Sequence, residues 1–167
     1  MNVRRATPAD LGEIMRVYDA AKKYMRQNGN YSQWVRGYPQ RELIEEDIAE
    51  GRCFVCEEEG IHGVFAFILG EDPTYAVIEN GAWLNDRPYG TIHRIGSDGE
   101  KSGILRHAAD YVLKRTKDLR IDTHEDNKIM QALVESYGFR RCGIIHIDDG
   151  TPRIAYHYTE DPNGRYL

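Results

Sequence analysis

The chain is poor in cysteine: three in 167 residues, Cys53, Cys56 and Cys142. An odd, small count excludes a disulfide framework. Cys53 and Cys56 stand in CxxC spacing, yet no second CxxC or CxxH pair follows them. On a strand, residues three apart point to opposite faces, so the pair reads as buried small hydrophobes. Nothing approaches the ~20 consecutive apolar residues that cross a bilayer. Met1-Asn2-Val3-Arg4-Arg5 runs straight into strand and helix patterning, with no secretory core. A cytoplasmic protein with no membrane partner is expected. A basic block is missing too: 22 Lys and Arg stand against 27 Asp and Glu, for a net charge of −5. Nucleic acid is therefore not an expected partner. The acidic balance favours cationic substrates such as amines. Repeats, low-complexity stretches and internal linkers are also lacking.

What is present suits one globular domain over residues 1–167, with 159–167 as a polar tail. Hydrophobic residues make up 41% and charged residues 29%. A first strand at 3–6 leads to Thr7-Pro8-Ala9-Asp10, which signals a helix start. The helix runs to about Gln27, with Leu11, Ile14, Met15, Tyr18, Ala21 and Met25 at helical spacing. An aromatic linker at 31–39 precedes a second helix at 40–50. In it the Glu45-Glu46-Asp47 run reads as a solvated face. Strands are expected at 52–58, 61–69, 75–79 (short), 91–97, 119–123, 139–147 and 153–158. Helices are expected from 104 and over 126–137. Without the short 75–79 strand, the predicted order is β-α-α-β-β-β-α-β-α-β-β, a mixed α/β sheet with helices on its faces.

The working centre is the strand, glycine turn and helix at 91–116. Gly96, Gly99 and Gly103 let the backbone approach a ligand, and the helix behind them aims free N–H groups and its positive dipole end at the turn. That combination holds phosphate. The dinucleotide pattern GxGxxG is absent, because the spacing is Gly96-x-x-Gly99-x-x-x-Gly103. The Walker A pattern fails as well: Lys101-Ser102 follow Glu100, and Ile95 stands where the first glycine belongs.

Further residues identify a relation. His93-Arg94-Ile95-Gly96-Ser97, the glycine turn and helix, Ile121 to Asn127, then Leu133 to Gly138-Phe139 together resemble the GNAT acetyltransferase superfamily over residues 3–158. The resemblance implies a central, mostly antiparallel sheet of about seven strands with four helices. It also implies transfer of an acetyl group from acetyl-CoA to a small-molecule or peptide amine, with no metal, and a homodimer. It implies that Ile95 and Ser97 pair with the pantetheine arm and that Gly99, Lys101, Ser102, Gly103 and Ile104 take the pyrophosphate. Asn127 would lie near the cofactor; alternatively it is a helix N-cap. Glu100, Leu105 and Val134 depart from the family pattern, and the turn is about two residues short. These departures keep a second reading open: a module that holds CoA in a regulatory role without turnover.

A protonated amine of pKa ~10.4 costs about 4–5 kcal/mol to deprotonate at pH 7, so a base is the pressing need. His93, two residues before Ile95, is the expected base. Glu79 is the alternative if its segment folds beside that strand. The Ile95 N–H is the expected donor to the thioester oxygen. His124 reads as a turn residue. His62, His107, His146 and His157 show no metal-like grouping. Tyr137 reads as packing, which leaves the departing thiolate without a side-chain acid. Tyr31, Trp34 and Tyr38 in the aromatic linker would cage a cationic substrate or form a hydrophobic cluster.

Overall fold

The computed structural model describes residues 1–160, so residues 161–167 of the expected tail lie outside the described residues. The elements are β1 (Asn2–Arg5), α1 (Leu11–Gln27), α2 (Arg41–Ala49), β2 (Cys53–Glu57), β3 (Ile61–Leu69), β4 (Gly90–Ser97), α3 (Ile104–Val112), β5 (Asp118–Thr123), α4 (Lys128–Tyr137), β6 (Arg140–His146) and β7 (Pro152–Thr159). The expected class and element order are what forms. A short 3-10 turn at Pro8–Asp10 leads into α1, and Asp10 accepts the Thr7 backbone N–H at 2.7 Å. β7 runs through Thr159, the first residue of the expected tail.

The seven strands form one sheet in the order β1-β2-β3-β4-β5-β7-β6. Every neighbouring pair is antiparallel except β4 and β5. Strand alternation divides the core between the faces. Phe54, Cys56, Phe65, Phe67, Ile92 and Ile121 pack with Leu105, Ala108 and Val112 of α3 and Val134 of α4. Cys53, Val55 and Val64 pack with Ile14, Val17 and Tyr18 of α1 and Ile44 of α2. The CxxC cysteines thus sit on opposite faces, as the strand geometry requires. Burial pushes both thiols up to about 12, which keeps them protonated and inert. Each fully buried Leu, Ile or Phe contributes roughly 1.5–3 kcal/mol to holding the helices on the sheet.

The expected strand at 75–79 does not form. Pro73–Tyr75 is a 3-10 turn, opened by Asp72, whose Oδ1 accepts the Thr74 N–H at 2.8 Å. Glu79 makes one antiparallel bridge to Ile144 on the sheet edge. Glycines permit that contact: a Cβ at Gly81 would collide with the Cys142 carbonyl, and one at Gly143 would crowd the Glu79 carbonyl. Among the described residues, no helix is long and apolar enough to cross a membrane.

Candidate active site

The parallel pair β4 and β5 is short. It holds only Gly90 to Leu119 and Thr91 to Arg120. Beyond that point β5 is paired to β7 alone, through Thr123. The backbones of Ile92–Ser97 and Ile121–Thr123 therefore border an opening in the middle of the sheet. On the far edge of β4, Ala66 pairs with His93 and Val64 with Gly96, so Phe65 faces two residues, Arg94 and Ile95. This is a β-bulge, a device that re-aims backbone and side chains. Arg94 has φ 51°, rare for a residue with a Cβ. Two contacts hold it there. Its guanidinium meets Asp47 of α2 twice at 2.9 Å, and the Tyr18 hydroxyl donates to its carbonyl at 2.7 Å. Glu45 and Glu46 are exposed as expected, but Asp47 is 1% exposed, which corrects the expectation of a solvated face at that residue. It stands three residues after buried Ile44, so helical spacing carried the signal.

The glycine turn closes one end of the opening. Gly99 and Gly103 take φ 81° and 80°, and Gly103 is the N-cap of α3 with no side-chain cap. The Ser97 hydroxyl accepts the Gly99 N–H, and Asp98 accepts the Glu100 N–H, each at 3.0 Å. Among the described residues, no hydrogen bond engages the N–H groups of Lys101, Ser102, Gly103, Ile104 or Leu105. Five amides at a helix start form a cradle for an anion. Lys101 leans away, 3.3 Å from Glu58. Arg106, which sequence reasoning missed, compensates: its Nη2 would lie 3.3 Å from a Cβ at Gly103, and it makes no ion pair among the described residues. The Thr123 hydroxyl, buried at the end of β5 beside the opening, has no partner either. These groups fit a long ligand that carries phosphates at one end and amides along its arm.

His93 stands on β4 at the unpaired stretch, on the sheet face opposite α3. Its Nε2 lies 3.0 Å from Asp72 Oδ2. Burial works against the Asp72 anion, but the bonds from His93 and Thr74 outweigh it and hold the carboxyl at about 2. An ionised Asp72 fixes the proton on Nε2 and leaves the lone pair on Nδ1. That nitrogen has no partner among the described residues, and the side chain keeps 22% of its surface. Beside it, the Tyr75 hydroxyl donates to Asp122 Oδ2 at 2.6 Å, and the Tyr75 ring centroid is 6.3 Å from that of His93. Neither Asp72, Tyr75 nor Asp122 was anticipated from sequence.

Other expected residues fall elsewhere. Glu79 is exposed and bridges to β6, with β5 and β7 between it and β4, so its segment does not fold beside β4. Asn127 is an N-cap: its Oδ1 accepts the Met130 N–H and its Nδ2 donates to Gln33, both at 3.0 Å. Both ends of that amide are thus engaged. Tyr31, Trp34 and Tyr38 make no ring contact with one another among the described residues. Trp34 packs edge-on against Tyr18, the Tyr38 hydroxyl meets Arg94 at 3.4 Å, and Tyr31 is 68% exposed. His124 accepts the Asp126 N–H in its turn. Tyr137 donates to Asp110 and packs on Phe139 and Tyr158, while Val134 is fully buried. Of the described residues, His62, Asp98 and Glu100 alone bring metal-ligating atoms within 4.8 Å of one another. There both His62 nitrogens are already engaged, by Asp98 and the Glu58 carbonyl, and Arg16 sits 3.3 Å from Asp98.

No protein-family model and no curated protein sequence matches the chain. Solved structures do. An acetyltransferase of the GNAT family from Streptococcus agalactiae 2603 is 30% identical, with a TM-score of 0.87 over 95% of each chain. A GNAT-family acetyltransferase from Listeria monocytogenes is 22% identical, with a TM-score of 0.67 over 95% of this chain and 94% of that one. A ribosomal-protein-alanine N-acetyltransferase from Brucella melitensis is 18% identical, with a TM-score of 0.59 over 95% and 99%. The latter two establish shared fold only, while the first relates sequence and fold together over nearly the whole length. A divided β4–β5 pair, a bare α3 start and that likeness converge, and the chain belongs to the GNAT family of acetyltransferases.

Proposed function

We propose that this protein transfers an acetyl group from acetyl-CoA to a primary amine, with His93 as the base. The observation that carries this reading is the His93–Asp72 pair at the unpaired stretch of β4. Acetyl-CoA supplies the acetyl group already activated as a thioester. The amides of residues 101–105 and the Arg106 guanidinium would hold its phosphates, and Thr123 with the open strand edges would take its arm. Asp72 keeps Nε2 protonated and turns Nδ1 outward, so the imidazole accepts a proton from the ammonium of the acceptor. A neutral amine is then left to react. The Ile95 N–H, on the bulge, is the donor suited to the oxygen where negative charge develops. A thiolate of pKa ~8.5 is a fair leaving group without an acid, which matches a Tyr137 tied to Asp110.

That same engagement of Tyr137 favours a second reading, a module that holds CoA without turnover. Thiol release from acetyl-CoA with a panel of primary amines separates the two. Amine-dependent release is expected. Cofactor binding without amine-dependent release would establish the module instead.

A further inference from the structure

We propose that Asp122 selects the acceptor: its carboxylate receives a positively charged amine beside His93. The proposal rests on the acetyltransferase reading and names the substrate class of that site.

Paired residues of neighbouring strands share a sheet face, and side chains alternate along each strand. Thr91 pairs with Arg120, so His93 and Asp122, each two residues further on, point to that same side. Tyr75 stands between them, 2.6 Å from Asp122 Oδ2 and ring to ring with His93. The other oxygen, Oδ1, has no hydrogen-bond partner among the described residues. It is not one of the enclosed orphan atoms either, and Asp122 keeps part of its surface open. It is therefore an acceptor facing reachable space.

The surroundings do not neutralise it. The titratable and charged groups around Asp122 are His93 of β4, Asp72 at the cap of the 3-10 turn and Arg153 of β7, together with the Tyr75 hydroxyl. Arg153 donates to the Thr151 hydroxyl and the Pro152 carbonyl, and Asp72 is saturated by His93 and Thr74. Burial raises the Asp122 pKa, which the Tyr75 bond only partly opposes. Anchoring Tyr75 would need an acceptor and no charge; an asparagine would serve. A carboxylate kept in a desolvating recess with one oxygen open suits a cation as its missing partner. An ammonium on Oδ1 would present its remaining N–H groups towards His93. One N–H bond breaks, its electron pair stays on nitrogen, and the proton passes to Nδ1.

The test compares benzylamine, cationic at neutral pH, with benzhydrazide, which is neutral. Binding of each to the protein is measured by calorimetry alongside KM and kcat for thiol release. Asp122→Asn is expected to weaken benzylamine, in Kd and KM, by about tenfold or more, the scale of a lost charge-assisted hydrogen bond. Benzhydrazide should change less than about twofold. Tyr75→Phe keeps the carboxylate but removes its donor, so the preference for benzylamine should fade at a higher pH than in the wild type. Equal weakening of both ligands would make Asp122 merely structural, and no weakening of benzylamine would remove it from the site; either overturns the proposal. Should the wild type release no thiol with either compound, the acetyltransferase reading fails by itself, and the binding comparison still decides the role of Asp122.

Discussion

Two histidine–aspartate pairs have almost identical bond geometry and differ at the second ring nitrogen. His157 Nε2 lies 2.9 Å from Asp118 Oδ1, and His93 Nε2 lies 3.0 Å from Asp72 Oδ2. His157 is 0% exposed, and its second nitrogen accepts the Leu84 N–H at 3.2 Å. That bond fixes the neutral tautomer, and burial lowers the His157 pKa despite the aspartate. The pair clamps the 84–87 segment onto the sheet. His93 has the same carboxylate partner but an open second nitrogen at the divided part of β4. The His–Asp bond is thus common to both pairs; in the proposed reading the unengaged nitrogen is what suits His93 to chemistry. The third such pair, His62 with Asp98, sides with structure, because the Glu58 carbonyl engages its other nitrogen.

The sharpest way to break the comparison is to swap the variants. His157→Leu removes a buried partner of Asp118 and should lower stability by about 2–3 kcal/mol, read from urea unfolding, while the folded fraction keeps its specific activity. Asp72→Asn should do the reverse. It removes the anion that fixes the His93 tautomer, and kcat should fall about tenfold or more with little change in the unfolding midpoint. On the cofactor side, Arg106→Ala should weaken CoA about fivefold by calorimetry, the scale of one exposed charge contact. Lys101→Ala should do less, because Glu58 already engages Lys101.

The smallest effect concerns pH. The folded pKa of His157 lies below its unfolded value of 6.5, so the unfolded chain takes up the proton first. The stability this group contributes is present above pH 6.5 and is lost as pH falls towards the lowered folded value. Asp122 has the opposite sign: its folded pKa is raised from 3.8, so its contribution is present below that value and lost as pH rises through the folded one. Asp122→Asn should accordingly raise the unfolding midpoint at pH 7 and leave it nearly unchanged near pH 3.

The backbone half of the site was legible in the sequence. Gly99 and Gly103 marked a turn whose positive φ angles favour glycine, and the bare start of α3 followed from it. The place of His93 was legible as well, because one strand carries it two residues before Ile95. Its partners were not. Asp72 lies 21 residues from His93, on a segment whose approach depends on the 3-10 turn at Pro73–Tyr75 rather than on any periodic pattern; Asp122, 29 residues away, shares a sheet face with His93 only through the β4–β5 register, which a single strand's pattern does not reveal. Glu79 failed for the same reason: a strand signal at 75–79 competed with Pro73 and with the Asp72 cap, and the turn prevailed. Asn127 satisfied two patterns at once, a family asparagine and an N-cap; the cap took its Oδ1, and Gln33, distant in sequence, took its Nδ2. Arg106 was not legible, because it lies inside α3 beyond the glycine turn and only the fold of that helix brings its guanidinium back over Gly103.

The most direct measurement is amine-dependent thiol release from acetyl-CoA by His93→Ala, set beside its CoA affinity by calorimetry. The account predicts a loss of at least about a hundredfold in kcat/KM at neutral pH, with CoA bound as in the wild type. Full activity in His93→Ala would contradict it.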